Sequence, residues 1–221
     1  MTKAIVNVAQ GSWYRRGQER LATSARAHAP GYALAMYSGE LPPGSPSHED
    51  APYAFKHHAM IQAKRDGHDV AIWCDAAVWF TANPQPIVDL AIERGLWIGN
   101  STTAFECWAS DDSLVKLGVK RDDLCGVPMP MGTMYALDLR SKLADDLFEY
   151  MLAHEDALKG SWTNESQQVS KEERVRGHRH DQVLLGVFCR DHAVPVDDFP
   201  GFLSFPRIAR LAKEVALSRG M

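Results

Sequence analysis

Three stretches carry residue types suited to binding or transferring a charged group. The first is Ile72-Trp73-Cys74-Asp75-Ala76-Ala77, where a carboxylate follows directly on an apolar run. An aspartate there can hold a divalent cation or a ribose hydroxyl, and its plainer use is to cap the next turn. The second is Gly177-His178-Arg179-His180-Asp181-Gln182. Asp181 opens a helix, where a carboxylate suits a cap or a ligand-facing group. His178 and His180 could bind a metal or a phosphate, or simply be solvated. The third is Gln10-Gly11-Ser12-Trp13-Tyr14. Gly11 permits close backbone approach to a ligand, and Tyr14 or Trp13 could stack on a base. A plain turn with an aromatic over the sheet edge fits the same residues. The GxGxxG dinucleotide fingerprint is absent from this loop. His57 and His58 are adjacent on a helix and are expected to point in different directions.

These residues need a scaffold that brings them together. In open α/β sheets ligands bind beyond the carboxyl ends of the strands, so a strand should precede each site. Residues 4–9 (AIVNVA) form an apolar, β-branched run that predicts the first strand. Residues 18–28 read as a helix stopped at Pro30-Gly31, and 32–37 as a second strand. Residues 41–47 hold three prolines and a glycine and read as a loop. A helix is expected from about Asp50-Pro52 to Asp66, with Phe55, Ala59, Met60 and Ala63 on one face. Residues 70–74 (VAIWC) predict a buried strand, and Asn83-Pro84 starts a helix with Ile87, Leu90 and Ala91 inside. Short strands follow at 96–98 and 133–137. Helices are expected at 111–117, 141–154, 181–189 and 205–218. The polar stretch 159–177 is long for a loop in a compact domain and reads as a lid, a binding loop or a disordered segment.

Alternation of strands and helices implies an open, mainly parallel central sheet covered by helices on both faces. The 221 residues suit a single domain spanning 1–221. Net charge is -4, which disfavours a general nucleic-acid or acidic-membrane binder and disfavours duplex DNA as a partner unless arginines line one cleft. The four cysteines, at 74, 107, 125 and 189, form no CxxC pair, and Cys74 and Cys189 lie in apolar runs. Free thiols fit a reducing cytoplasm. No apolar run reaches the roughly 18 residues of a membrane span.

Taken in order, the three stretches resemble the GT-A glycosyltransferases. The likeness is nearest to bacterial and phage members with the pattern Lys, helix, Gly, apolar strand, Trp-x-Asp. Here that is Phe55-Lys56 through Gly67 to Val70-Ala71-Ile72-Trp73-Cys74-Asp75. The resemblance covers roughly residues 3–192. It implies a single GT-A-like, Rossmann-like domain and a hexosyltransferase-like enzyme. The donor it implies is a nucleotide sugar, expected to be a UDP-sugar, and the acceptor stays open. In that family the carboxylate at the strand end belongs to a DxD motif that binds Mn²⁺ or Mg²⁺ and the donor diphosphate. Ala77 stands where the second carboxylate would be. Either the metal has one ligand fewer, or Lys56, Arg179 or a histidine neutralises the phosphates.

The donor-side residues implied are Gln10, Gly11, Tyr14, Lys56, Asp75, Ala77 and Arg179, with Asp75 and His180 as metal ligands. Gly132, Thr133 and Asp138, in the strand Gly132-Thr133-Met134-Tyr135-Ala136-Leu137-Asp138, are implied on the acceptor side. Asp181 is the expected catalytic group, as base or as acceptor of a sugar-hydroxyl hydrogen bond. Two other readings fit the same residues: a nucleotidyltransferase, and a non-catalytic nucleotide- or sugar-binding module.

Overall fold

A computed structural model describes residues 1–198 together with the short strands Leu203–Ser204 and Ala216–Ser218. Its centre is a five-stranded sheet of order β2-β1-β3-β6-β5. The strands are β1 (Lys3–Ala9), β2 (Ala33–Ser38), β3 (Val70–Cys74), β5 (Leu96–Ala104) and β6 (Pro128–Asp138). β1 pairs in parallel with both β2 and β3. β6 lies antiparallel to β3 and to β5, so it alone runs against the other four. The expected open, mainly parallel sheet is present.

The helices are α1 (Ser12–His28), α2 (Phe55–Arg65), α3 (Gln85–Arg94), α4 (Asp111–Leu117), α5 (Lys142–Ala153) and α6 (Asp181–Asp191). Period-2 alternation sends neighbouring residues of each strand to opposite faces. Val6, Ala71, Trp73, Tyr135 and Leu137 pack with Met60 of α2, Leu147 of α5 and Phe188 of α6. Ile5, Ile72, Cys74, Met134 and Ala136 pack with Leu21 of α1 and Ile87 of α3. Helices therefore cover both faces.

Several boundaries differ from expectation for local reasons. α1 begins at Ser12 rather than 18, so Trp13 and Tyr14 are helical. Gly11, at φ 84°, turns the chain directly into the helix. The first turn is exposed, which left no apolar periodicity to mark it; Gln18, Leu21 and Ala25 carry the buried stripe. α2 begins at Phe55 because Tyr53 takes a left-handed φ of 66° that a helix cannot contain. β4 (Val78–Phe80) had no independent sequence signal. It pairs with β8 (Ala216–Ser218), which also pairs with β7 (Leu203–Ser204). Of the helix expected at 205–218, residues 205–215 lie outside the described ones, and Ala216–Ser218 is strand.

The long polar stretch 159–177 is anchored. Asn164 accepts from the amides of Val169 and Ser170 and donates to the Ser170 carbonyl. Arg176 N donates to Cys107 O, and Asp111 N to Val169 O. Cys74 and Cys189 are buried free thiols. Among the described residues, no helix is long and apolar enough to cross a membrane.

Candidate functional site

β1 has β2 on one side and β3 on the other, so the chain changes direction across the sheet between β1 and β3. A crevice opens at such a point because the flanking crossovers lie on opposite faces. Here α1 and α2 lie on opposite faces, and a cavity of about 250 Å³ sits at the carboxyl ends of β1 and β3. Val8 and Gln10 line it from β1 and the residue that follows it, and Trp73, Asp75, Ala76 and Ala77 from β3 and its following turn. Tyr14 of α1 and His48, Tyr53 and Phe55 close the sides. Half of the lining residues are aromatic, counting His48, and one carboxylate is present.

Beside this cavity lies a buried charge cluster. Lys56, in the first turn of α2, points its ammonium between two aspartates. Nζ is 3.1 Å from Asp75 Oδ1 and 2.9 Å from Asp181 Oδ2, and it donates to Gly132 O at 2.9 Å. Its three donor positions thus face three acceptors. Burying an ammonium costs several kcal/mol unless it is paired this well. Burial pulls the lysine pKa down, but the charges of Asp181 and Asp75 outweigh it and hold the ammonium above its ordinary range. Burial is also the largest influence on Asp75 and raises its carboxyl pKa. Lys56 opposes that rise and Asp181 adds to it.

Local backbone features fix this geometry. Asp75 N donates to Thr133 O at 2.8 Å, and Trp73 Nε1 donates to Asp75 Oδ1 at 2.9 Å. Gly132 must lack a side chain, since a Cβ there would lie 2.5 Å from Asp181 Oδ2. Gly17 plays the same part between α1 and the turn after β3, where a Cβ would lie 2.2 Å from the Ala76 carbonyl oxygen. His180 enters α6 at φ 40° and ψ -113°, a strained turn that delivers Asp181 to Lys56.

The cavity rim carries the amino end of α1. That end has no side-chain cap and no acidic residue in its first turn. Its sequence there, Ser12-Trp13-Tyr14-Arg15-Arg16, puts two exposed arginines where the helix dipole disfavours cations. The Arg15 guanidinium approaches Gly39, just past β2, so it also stands over the carboxyl end of the sheet.

The residues singled out by sequence divide into three groups. Gln10, Tyr14, Asp75 and Ala77 line the cavity, and Gly11 forms the N-cap of α1 beside it. Lys56, Asp181, Gly132 and Thr133 build the adjoining charge cluster, with Asp181 buried and off the cavity surface. Arg179 and His180 lie behind the cavity wall, where the His180 ring packs 5.2 Å from that of Tyr53, and Asp138 falls elsewhere. The Arg179 guanidinium lies 3.5 Å from the Trp108 ring and 4.4 Å from the Trp162 ring, and it donates to Trp162 O. His180 is buried, with Nδ1 donating to Leu158 O at 2.8 Å. Asp138 sits at the opposite end of the sheet, paired with Val70 and bound by Arg140, because β6 runs antiparallel.

Asp75 and His180 gather no third metal-ligating side chain among the described residues. Asp75 Oδ1 is taken by Lys56 and the Trp73 indole, which leaves Oδ2 as one free ligand oxygen. An ammonium already stands where a cation between these carboxylates would go. The described residues therefore do not fit a resident divalent metal at this site.

Sequence reasoning missed His48, Tyr53, Phe55 and Trp73 as cavity walls. The turn holding His48 and Tyr53 has no periodic pattern, although Trp73 precedes Asp75 on a strand already recognised. It also misplaced His57 and His58. Their Nε2 atoms converge, each 2.7 Å from the same Glu155 oxygen. Adjacent helical side chains diverge by about 100° at their bases, but a third group lodged between them can draw their tips together.

No protein-family model matches the chain, and no curated protein matches it. Among solved structures, the chain is similar to a galactosyltransferase, LgtC, crystallised in complex with donor and acceptor sugar analogues. The identity is 14% and the TM-score 0.47, over 100% of this chain and 87% of that one.

Proposed function

We propose that this chain is a glycosyltransferase that takes a sugar from a nucleotide-sugar donor, with a UDP-sugar as the expected donor. One observation carries the reading: an aromatic cavity at the switch point of the sheet, with a carboxylate on its wall and an uncapped helix amino end on its rim. Aromatic walls suit a nucleobase, whose faces stack on tyrosine or tryptophan. In this reading the base lies against Tyr14 and Tyr53. Asp75 Oδ2 accepts a hydrogen bond from a ribose or sugar hydroxyl. The diphosphate is drawn to the amide N–H groups opening α1, with Arg15 and Arg16 nearby.

The chemistry then needs charge stabilisation more than covalent catalysis. Cleaving the sugar–phosphate bond leaves negative charge on the nucleoside diphosphate, and fixed donors around it lower the barrier. The triad of buried Lys56 and Asp181 with half-buried Asp75 sums to a charge of about -1, so phosphate is repelled there and hydroxyl groups are favoured. Lys56 fixes Asp75, and Asp181 fixes Lys56. Asp181 is thus a positioning residue, and the charge compensation does not pass through Mn²⁺ or Mg²⁺.

A second reading, a non-catalytic nucleotide- or sugar-binding module, is favoured by the single carboxylate on the cavity surface. Thermal-shift titration with nucleotides and nucleotide sugars, with and without Mn²⁺, tests binding, since a ligand of the folded state raises apparent stability. Tyr14→Ala should weaken nucleotide binding about 10- to 100-fold if the ring stacks on the base. Release of free nucleoside diphosphate distinguishes the transferase from the module, and release of pyrophosphate would instead mark a nucleotidyltransferase. No stabilisation by any nucleotide at millimolar concentration would refute the donor assignment.

A further inference from the structure

We propose that His57, His58 and Glu155 form a binding site for a divalent transition-metal ion, with Zn²⁺ the best chemical match. The site lies away from the cavity lining and does not depend on the function proposed above. His57 and His58 are the third and fourth residues of α2, and Glu155 opens the 3-10 turn Glu155–Leu158 that follows α5. One ligand atom from each of the three residues lies within 4.8 Å of the other two, and both Nε2 atoms are 2.7 Å from Glu155 Oε1. Among the described residues, this is the group that brings three such ligands together.

The ligand types and geometry suit the ion. Two imidazoles and a carboxylate are a recurrent zinc set, with a fourth position left for water or another ligand. At Zn–N and Zn–O lengths of about 2.0–2.1 Å, tetrahedral ligands stand roughly 3.3 Å apart. The 2.7 Å contacts therefore need to open by only about half an ångström. Glu155 can give this room, because it stands at the start of a short turn and its side chain is a quarter exposed. Its Oε2 has no partner among the described residues.

The hydrogen-bond pattern around the cluster is also suited. Metal binding would replace the two Nε2 protons that now face the carboxylate. His57 Nδ1 is buried without a hydrogen-bond partner. Moving its proton from Nε2 to Nδ1 thus leaves one unpaired ring atom in both states. Such an ion would clamp the first turn of α2, and with it Lys56, to the end of α5.

The test uses the full chain after dialysis against a chelator. Calorimetric titration with Zn²⁺ and visible spectroscopy with Co²⁺ are run on the wild type, His58→Ala and Glu155→Gln. His58 is partly exposed, and glutamine keeps the size and an acceptor oxygen of Glu155, so both variants should fold. One equivalent of metal is expected, with the cobalt spectrum of a four-coordinate site lacking thiolate bands. Each variant should bind roughly 100-fold more weakly, since even indirect changes around a metal cost 10- to 100-fold. Absence of binding at micromolar metal would overturn the proposal. So would undiminished binding in both variants, or a cobalt–thiolate band, because Cys107 and Cys125 would then be holding the ion.

Discussion

Removing the ammonium of Lys56 tests the physical core of the site. Lys56→Met keeps most of the side-chain length and deletes the charge. Asp75 and Asp181 then face each other without a counter-ion, and Gly132 O loses its donor. Breaking a buried ion pair by removing one partner typically costs about 3–5 kcal/mol. Asp181 is enclosed, but the Asp75 side chain is a third exposed and its share is screened by water. About 3 kcal/mol at pH 7 is therefore expected, which is roughly a 6–12 °C fall in Tm for a chain of this size. The loss should shrink as pH falls, because protonating one carboxylate relieves the repulsion. Each proton taken up selectively by the folded state returns about 1.4 kcal/mol per pH unit. In the wild type the raised lysine pKa places its stabilising contribution fully below the ordinary value of 10.5, fading only as pH rises through the raised one. Urea denaturation at pH 7 and pH 5 measures both effects. The double variant Lys56→Met/Asp181→Asn should be more stable than Lys56→Met alone, because it removes the orphaned charge as well. A loss under about 1 kcal/mol at pH 7, or no rescue in the double variant, would refute the view that the ammonium holds these carboxylates together.

Gly17→Ala should destabilise the fold by about 1–3 kcal/mol in a thermal melt, because the clash with the Ala76 carbonyl outweighs alanine's helix-propensity gain of about 1 kcal/mol. An unchanged or higher Tm would show that α1 does not press on the turn after β3. Burial lowers the pKa of His178 to about 3 and of His180 to about 4. Below about pH 6.5 the unfolded chain takes up protons that these two residues refuse. Stability should therefore fall with pH by up to about 1.4 kcal/mol per unit for each histidine, down to their folded values. Acid titration of His180→Gln should show a shallower fall, and a slope identical to wild type would contradict burial of a neutral His180. Asp75→Asn should weaken donor binding while leaving the fold within about 1–2 kcal/mol of wild type, as read by paired affinity and urea measurements. Equal donor affinity would remove Asp75 from the site.

The apolar run of β3 and the carboxylate after it were legible in sequence, because a strand buried on both faces leaves a continuous hydrophobic signature. The stripes of α5 and α6 were legible for the same kind of reason, through their helical period. These local patterns were enough to indicate an open, mainly parallel sheet and to place Gln10, Tyr14, Asp75 and Ala77 at one end of it. Tertiary structure alone decided the partners. Lys56 reads as a phosphate ligand until folding sets Asp75, Asp181 and Gly132 around it, from positions 19, 125 and 76 residues away along the chain. Asp138 reads as part of the site until the antiparallel course of β6 carries it to the far end of the sheet. His57 and His58 read as diverging until Glu155 arrives between them. Periodicity records which face of an element is buried. Strand direction and long-range pairing leave no local mark, and they determine which buried charges must neutralise one another.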